Sequence, residues 1–317
     1  MYICMSKYFR GDLLILTNKG LKRIDKIEKT DLILSIKDNK PIYEEIDEIE
    51  KKYIKKYKLN KIKLLNSIDN YHLNDNVKIK TLQNIPANIQ INEIPKYLSE
   101  NMHKCLTTTT INNLTDFDYI GFPICENYNS LNMCFEDNNN DYYRFQGLLL
   151  LNYESFILNN TNNEKTIGFL TKYLLNNDIK YEITTDDKQT IIKFDTNNIK
   201  KIVLEDILKL NNSNLFSLFK GLTEITKQIT TTDKNLYFII KYVSLIFHVL
   251  ISSNFINDKI IIKIPENNDI KYNYFIYDNY IWNKIKYIKK IEVLKCNLYT
   301  LTLKNNTPFL TDVGIIS

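Results

Sequence analysis

The chain opens with short apolar runs set between turn residues. Leu13-Leu14-Ile15-Leu16 and Leu32-Ile33-Leu34-Ser35 have the length and punctuation of strands. Asp38-Asn39-Lys40 marks a turn, and Lys51 to Leu65 mixes Tyr and Ile with Lys, so residues 12 to 120 are expected to be β-rich. The pattern changes after the polar stretch Glu136 to Asp141. Phe145 to Leu151 is apolar and helix-like, Glu164 to Leu175 has helical spacing, and Tyr181 to Asp195 returns to strand character. A similar series follows: an apolar helical run at Leu215 to Leu222, a long helix over Asn235 to Ile251 and a strand over Lys259 to Ile264. From Tyr272 to Ile316 the chain is strand-like again, at Tyr274 to Tyr277, Ile285 to Val293 and Leu298 to Leu303. A turn at Lys304-Asn305-Asn306 and a last apolar stretch complete it.

Gly147 and Gly221 each sit inside an apolar helical run, in a chain with only 7 Gly. A glycine inside a helix costs about 1 kcal/mol relative to alanine, so two in matching places predict an internal duplication and close helix–helix approach. Strand-rich segments on either side of an α+β insert predict a mixed fold, one split β domain hosting a second domain. The expected boundaries are 1–135, 136–271 and 272–317.

Composition narrows the function. At 317 residues and 44% hydrophobic content the chain can bury more than one core. It holds 22 Tyr against one Trp, and Asn, Ile and Lys are abundant. An AT-rich genome writes such a bias, and a large DNA virus and the cell it infects fit it. Net charge is +5, carried by lysine almost throughout, since Arg10, Arg23 and Arg144 are the arginines. Modest positive charge suits phosphate contact without demanding it. The lysines of Lys51 to Lys63 could lie on a phosphate backbone or on a solvated strand face, and the second reading is slightly favoured. Cys4, Cys105, Cys125, Cys134 and Cys296 are scattered, which argues against a disulfide framework or zinc site and for a reducing intracellular compartment. His72, His103 and His248 lack metal-ligand spacing. Met1 to Arg10 lacks a signal peptide's apolar core, and the run Leu236 to Ile251 is interrupted and short for a membrane span. No membrane partner is expected.

Tyr8-Phe9-Arg10-Gly11-Asp12 with Gly20, then Thr30-Asp31-Leu32-Ile33-Leu34, and at the far end Trp282 to Ile285 and Tyr299 to Phe309, together resemble the opening and closing motifs of an intein, a HINT domain. Between them, Gly147 to Tyr153 and Leu218 to Thr226 resemble the paired helices of a LAGLIDADG (dodecapeptide) homing endonuclease. The resemblance covers nearly the whole chain and implies a split all-β HINT-like domain with an inserted, pseudo-symmetric α+β domain.

What the resemblance implies for chemistry is loss. Tyr8 stands at the position of the splicing nucleophile, and its phenol, at the end of a rigid ring, cannot reach its own preceding carbonyl. The nearest counterpart of the family's T-x-x-H motif is Thr81 to Asn84; Asn84 cannot shuttle a proton near neutral pH, and His72 is the other histidine nearby. Thr307 is a further changed position in the closing motif, and the chain stops at Ser317, short of the terminal His-Asn. Met1, shortly before the opening motif, fits a free-standing gene. In the endonuclease part, the metal-binding acidic positions hold Asn152 and Thr226. Neutral oxygens hold Mg²⁺ poorly, and Glu154 and Glu224 are the nearest acids, each turned about 200° away by a two-residue shift along a helix. No catalytic residue, metal or cofactor is therefore expected, with Mg²⁺ relevant only to residual cleavage.

The family binds duplex DNA on β-sheets in the major groove. Lys180, Lys188, Lys193, Lys259 and Lys263 are the corresponding basic candidates here. The leading expectation is a non-enzymatic DNA-binding factor in transcription or replication, meeting double-stranded DNA and nucleic-acid-processing proteins. A protein-interaction module is the alternative, and a residual metal-dependent nuclease ranks last. Lysines on the sheet faces favour the first; apolar or acidic residues there favour the second.

Overall fold

The computed structural model describes residues 7–37, 40–65, 67–124, 139–152, 155–197, 199–207, 210–247, 249–265 and 274–317. The chain divides into two compact units, Met1–Leu131 with Asn267–Ser317, and Asn132–Glu266. Cys4, Cys125, Cys134, His248 and Glu154 lie outside the described residues.

The first unit begins with β1 (Phe9–Arg10), β2 (Leu14–Thr17), β3 (Gly20–Arg23), β4 (Leu32–Lys37), β5 (Lys40–Leu64), β6 (Tyr71–Leu73) and β7 (Lys78–Leu82). Helix α1 (Ile94–Cys105), β8 (Leu106–Thr110) and β9 (Tyr119–Pro123) follow. The second unit contains α2 (Asn140–Leu151), β10 (Ser155–Asn159), α3 (Glu164–Asn176), β11 (Tyr181–Thr185), β12 (Gln189–Phe194) and α4 (Leu204–Ile207). It continues with α5 (Asn212–Glu224), β13 (Gln228–Thr231), α6 (Lys234–Ile246), β14 (Ser252–Ile256) and β15 (Lys259–Lys263). The chain then returns to the first unit through β16 (Tyr274–Tyr277), β17 (Tyr280–Leu303), β18 (Phe309–Thr311) and β19 (Gly314–Ile316).

The first unit is a 13-stranded sheet folded over one core. Its two ends of sequence interlock: β1 pairs with β17, β18 with β2 and β4, and β19 with β7. Phe9, Ile15, Ile33, Ile62, Leu73, Ile79, Ile285, Leu303, Phe309 and Ile316 are buried together. A β domain split by an insert is held in this way, because neither end has enough apolar surface to close a core without the other. The two longest strands, β5 and β17, run antiparallel from Ile46–Leu303 to Leu64–Ile285. The sequence showed Ile285 to Val293 and Leu298 to Leu303 as separate strands; they are one, because β5 offers an equally long partner. Helix α1 was not expected in the β-rich region. Pro95 in its first turn and the buried set Ile94, Leu98 and Cys105 account for it.

The second unit is built twice on one plan. Helix, strand, helix and two further strands occur as α2-β10-α3-β11-β12 and again as α5-β13-α6-β14-β15. The antiparallel sheets have the orders β10-β12-β11 and β13-β15-β14, with the last strand of each repeat in the centre. Tyr181 to Asp195 is thus a hairpin rather than one strand; Asp186 turns it by accepting from the backbone N–H groups of Lys188 and Gln189, both at 2.8 Å. The expected helix to Ile251 ends at Ile246, where the backbone N–H of Val249 bonds back to Ser244 and a strand starts at Ser252. Helices α2 and α5 cross at their glycines. A Cβ on Gly147 would collide with the carbonyl oxygen of Leu218, and one on Gly221 with that of Arg144. Each helix therefore lays its backbone against the other's.

That contact gives the first prediction. Gly147→Ala and Gly221→Ala should each cost about 1–3 kcal/mol or more of stability, far beyond a surface glycine's response. Denaturant unfolding checks this, with Gly168→Ala as control, since a Cβ there meets nothing within 4 Å. Equal effects at all three positions would contradict the crossing.

Candidate functional site

In the first unit, the corner at β1 gathers several polar side chains. Tyr8 packs edge-on against Tyr57, with ring centroids 5.6 Å apart, and the Lys52 ammonium lies 5.8 Å from its ring. Gly11 sits so close to Tyr299 and Asp25 that a Cβ would stand 3.1 Å from the Tyr299 ring. Arg10, Gly11, Asp12, Arg23, Asp25, Cys296, Asn297 and Tyr299 line an open cleft of about 330 Å³. Arg23 grips Asp25 with two hydrogen bonds, of 3.0 and 2.6 Å. Strand β6 pairs with β1 at Phe9–Leu73, which brings His72 beside this corner, its Nδ1 4.0 Å from Asp12. Burial pushes the His72 imidazole below its ordinary range, while Asp12 pulls the other way. The histidine is therefore held neutral, and its Nδ1 has no hydrogen-bond partner among the described residues.

The segment read as T-x-x-H lies elsewhere in the sheet. Thr81 is buried in β7, which pairs with β8, β9 and β19 rather than β1. Asn84 is exposed just beyond β7 with φ of 60°, a left-handed turn that Asn tolerates. It is thus His72, not Asn84, that the fold sets next to the chain's opening motif. Thr307, ahead of β18, has a buried hydroxyl with no partner among the described residues. Tyr8, directly before β1, presents to this corner a phenol at the end of a rigid ring.

In the second unit, the helix ends carry the positions of interest. Asn152 is the exposed C-cap of α2. Thr226 follows α5 and turns the chain into β13, its hydroxyl donating to the Gln228 carbonyl at 2.8 Å and accepting from the Gln228 N–H at 3.0 Å. Glu224 does not point into an open site. Arg144 of α2 binds it through two nitrogens, Nε at 2.9 Å and Nη2, and the Thr166 hydroxyl adds a third bond at 2.9 Å. The guanidinium stacks on Phe169, 3.8 Å from the ring centroid. The Arg144 and Glu224 side chains are only 15% and 13% exposed. A cation already fills the place where a divalent metal would have to approach Glu224. Among the described residues, no group of three or more His, Cys, Asp or Glu side chains could hold a metal ion.

The ion pair breaks the internal symmetry. Matching Gly147 to Gly221 sets Arg144 against Leu218, and Glu224 against Leu150. The repeat thus has two leucines where the observed pair has two charges. Arg144 was legible only as one of three arginines, in a helical run three residues before a glycine.

Both sheets turn one face to their helices and the other outward. In β12 and β15, Ile192, Ile260 and Ile262 are buried, while Lys193, Lys259 and Lys263 are exposed. Lys180 stands exposed just before β11 and Lys188 in the hairpin. None of these five lysines has an ion-pair partner within 4.0 Å among the described residues. The two sheets nonetheless differ in charge. Around the first, Glu182 lies opposite Lys193, Asp195 beside Lys180, and Asp186 and Asp187 beside Lys188. Around the second, Lys227, Lys259 and Lys263 are accompanied by one acid in the β14–β15 hairpin, Asp258. Apolar side chains also surface: Ile157 on β10 is 59% exposed and Ile256 on β14 is 53%.

No family model matches the chain, and no curated protein does. Among solved structures, the chain is similar to the Ssp DnaB mini-intein variant M86, at 8% identity and a TM-score of 0.37, covering 98% of this chain and 92% of that one. The G-1F mutant of that mini-intein gives 9% identity, the same TM-score and 98% of both chains. The homing endonuclease I-DmoI, solved in complex with DNA and Ca, is similar at 13% identity and a TM-score of 0.32, covering 43% of this chain and 88% of that one. The similarity to the mini-intein spans nearly the whole chain, and that to the endonuclease a part of it. At these TM-scores the likeness carries no residue's role with it. Among the described residues, no helix is long and apolar enough to cross a membrane.

Two outcomes follow from these sites. Arg144→Leu alone leaves Glu224 buried without its cation and should cost about 3–5 kcal/mol, whereas Arg144→Leu with Glu224→Leu, which copies the other repeat, should recover more than half. A double-mutant cycle by denaturant unfolding measures this; additive losses would contradict a coupled pair. For His72, the folded imidazole titrates below its unfolded value of 6.5, so it adds stability that is present above about pH 6.5 and is lost as pH falls through the folded value. His72→Asn should flatten that slope, as Tm measured between about pH 7 and pH 5 would show. An unchanged slope would mean that His72 is not what titrates.

Proposed function

We propose that the second unit binds duplex DNA through the outer faces of its two sheets and does not cleave it. The observation that supports this best is the set of exposed lysines on and beside β11, β12 and β15, which no carboxylate binds within ion-pair distance among the described residues. Lysines so placed hold phosphates as point charges and give affinity without reading bases. The near absence of arginine fits weak sequence preference, because bidentate arginine is the commonest reader of guanine.

Non-cleavage rests on the helix ends. Phosphodiester hydrolysis of this class needs carboxylates to hold divalent ions at the scissile phosphates. Asn152 and Thr226 are neutral, and Glu224 is occupied by Arg144 and Thr166. In the first unit, Tyr8 in place of a thiol or small hydroxyl removes the first step of splicing. The protein on this reading is an intein-like scaffold turned DNA-binding factor, serving transcription or replication. The exposed Ile157 and Ile256 support a second reading, that these faces meet a protein partner instead.

Binding of the full chain to a mixed-sequence duplex, followed by fluorescence anisotropy with Mg²⁺ present, tests the first reading. Affinity should fall steeply between about 50 and 200 mM salt, and the duplex should remain intact on a gel. Because the second sheet is the more basic, Lys259→Gln with Lys263→Gln should weaken binding more than Lys180→Gln with Lys193→Gln. No binding at low salt would move the function to protein contact; cut DNA would overturn the reading of the helix ends.

A further inference from the structure

The middle of the β5–β17 ribbon serves none of the chemistry above. Neighbouring strands cover only its ends: β4 pairs with β5 as far as Glu45 and β6 from Asn60, while β1 pairs with β17 at Leu298 and Tyr299, and β9 at Tyr280–Lys284. Between these limits, among the described residues, β5 and β17 pair only with each other. Here Lys51, Lys52, Lys55, Lys58, Lys286 and Lys295 are all exposed, and none has an ion-pair partner among the described residues. Two-residue alternation along β5 puts Lys51 and Lys55 on one face and Lys52 and Lys58 on the other, so both faces are basic. Of the neighbouring lysines, Lys56 is answered by Glu292 at 2.9 Å and Lys290 by Asp75 at 3.4 Å.

A lone ribbon needs charge to keep its edges from pairing with other chains, and lysine is the usual guard. That need does not explain the register. Lys61 lies directly opposite Lys289, and Lys55 and Lys295 both fall between the Lys56–Leu294 and Ile54–Cys296 partners, while Lys58 lies opposite Glu292. Like charges directly opposite each other destabilise a sheet. Lys295 also holds a φ of 46°, a conformation rarely adopted by a long side chain. The acids of the same strand, Glu44, Glu45, Asp47, Glu48 and Glu50, are gathered at its other end. Tyr53, 61% exposed, sits among the lysines. Charge is thus concentrated on the ribbon at a cost to folding, which a bound polyanion would offset.

We propose that the ribbon is a second nucleic-acid-binding element, an arm that lies on duplex DNA with its lysines against the phosphates. A two-stranded ribbon is of a size that the major groove admits. Its all-lysine chemistry gives affinity independent of sequence. The ribbon belongs to the first unit, and its binding does not depend on the sheets of the second.

The test uses the full chain and a mixed-sequence DNA duplex. A ribbon variant carries Lys51→Gln, Lys52→Gln, Lys55→Gln and Lys295→Gln; a control of equal charge carries Lys29→Gln, Lys37→Gln, Lys96→Gln and Lys104→Gln. The ribbon variant should bind at least about tenfold more weakly at low salt, and its log–log salt slope should fall by about 0.9 for each phosphate that it no longer neutralises. The control should change little. Equal behaviour of the two variants overturns the arm, as does ribbon-dependent binding to phosphatidylserine vesicles with no binding to DNA. If the Lys259→Gln, Lys263→Gln variant binds normally while the ribbon variant does not, the sheet reading fails and the arm stands; the reverse sinks the arm alone. Lysine acetylation footprinting of the unaltered chain needs no variant to fold: DNA should protect Lys51, Lys55 and Lys295, and full reactivity in the bound state would reject the arm.

Discussion

The second unit depends on the contact of α2 with α5 at Gly147 and Gly221. Each glycine leaves room for the other helix's backbone, and no larger side chain fits without moving a carbonyl oxygen. Phe145, Leu148 and Leu149 of α2 are buried with Phe156, Leu170, Ile192 and Phe194 of the same repeat, and Leu215, Leu218 and Leu222 of α5 are buried as well. Each repeat then hangs its sheet from its own glycine helix through the following strand, β10 or β13. The two sheets inherit their equivalence from that crossing, since both follow the same order of elements from it.

What the crossing holds in place is not symmetric. Arg144 and Glu224 reach across the helix pair and lock it with two hydrogen bonds, with Thr166 completing the carboxylate's shell. A largely buried ion pair of this kind adds little net stability over two leucines, but it is costly to break by halves. It also fills the space around the one described carboxylate near the helix ends, Glu224, with a cation. Asn152 and Thr226 meanwhile serve as a C-cap and a turn. The helix ends thus keep structural duties suited to neutral side chains. Unpaired positive charge lies elsewhere, on lysines of the second sheet and of the β5–β17 ribbon.

Much of this was legible in the sequence, and the omissions have physical causes. The split β domain followed from alternating segments at both ends, and the duplication from two glycines in apolar helical runs. Strands β10, β13 and β14 escaped because Ser155 to Asn159, Gln228 to Thr231 and Ser252 to Ile256 are short and show no sustained alternation of apolar and polar residues. Helix α1 escaped because its apolar face is narrow, with Ile94, Leu98 and Cys105 its buried residues. For the site, sequence order suggested Thr81 and Asn84, but which strand lies beside β1 is a matter of sheet order. That order puts β6 and His72 there, a long-range pairing that local pattern does not encode. Likewise the Arg144–Glu224 pair joins residues far apart in sequence, and only the helix crossing makes them neighbours.

The ends of the α2–α5 pair are thus occupied by an ion pair and neutral side chains, which leaves Glu224 no open face for a divalent metal. Electron paramagnetic resonance of Mn²⁺ titrated into the full chain tests it most directly, because free ion gives a signal that coordination removes. The expected result is no stoichiometric site, only weak binding that salt abolishes. A tight site that disappears in Glu224→Gln would contradict the claim, since it would show that the carboxylate leaves Arg144 to hold a metal.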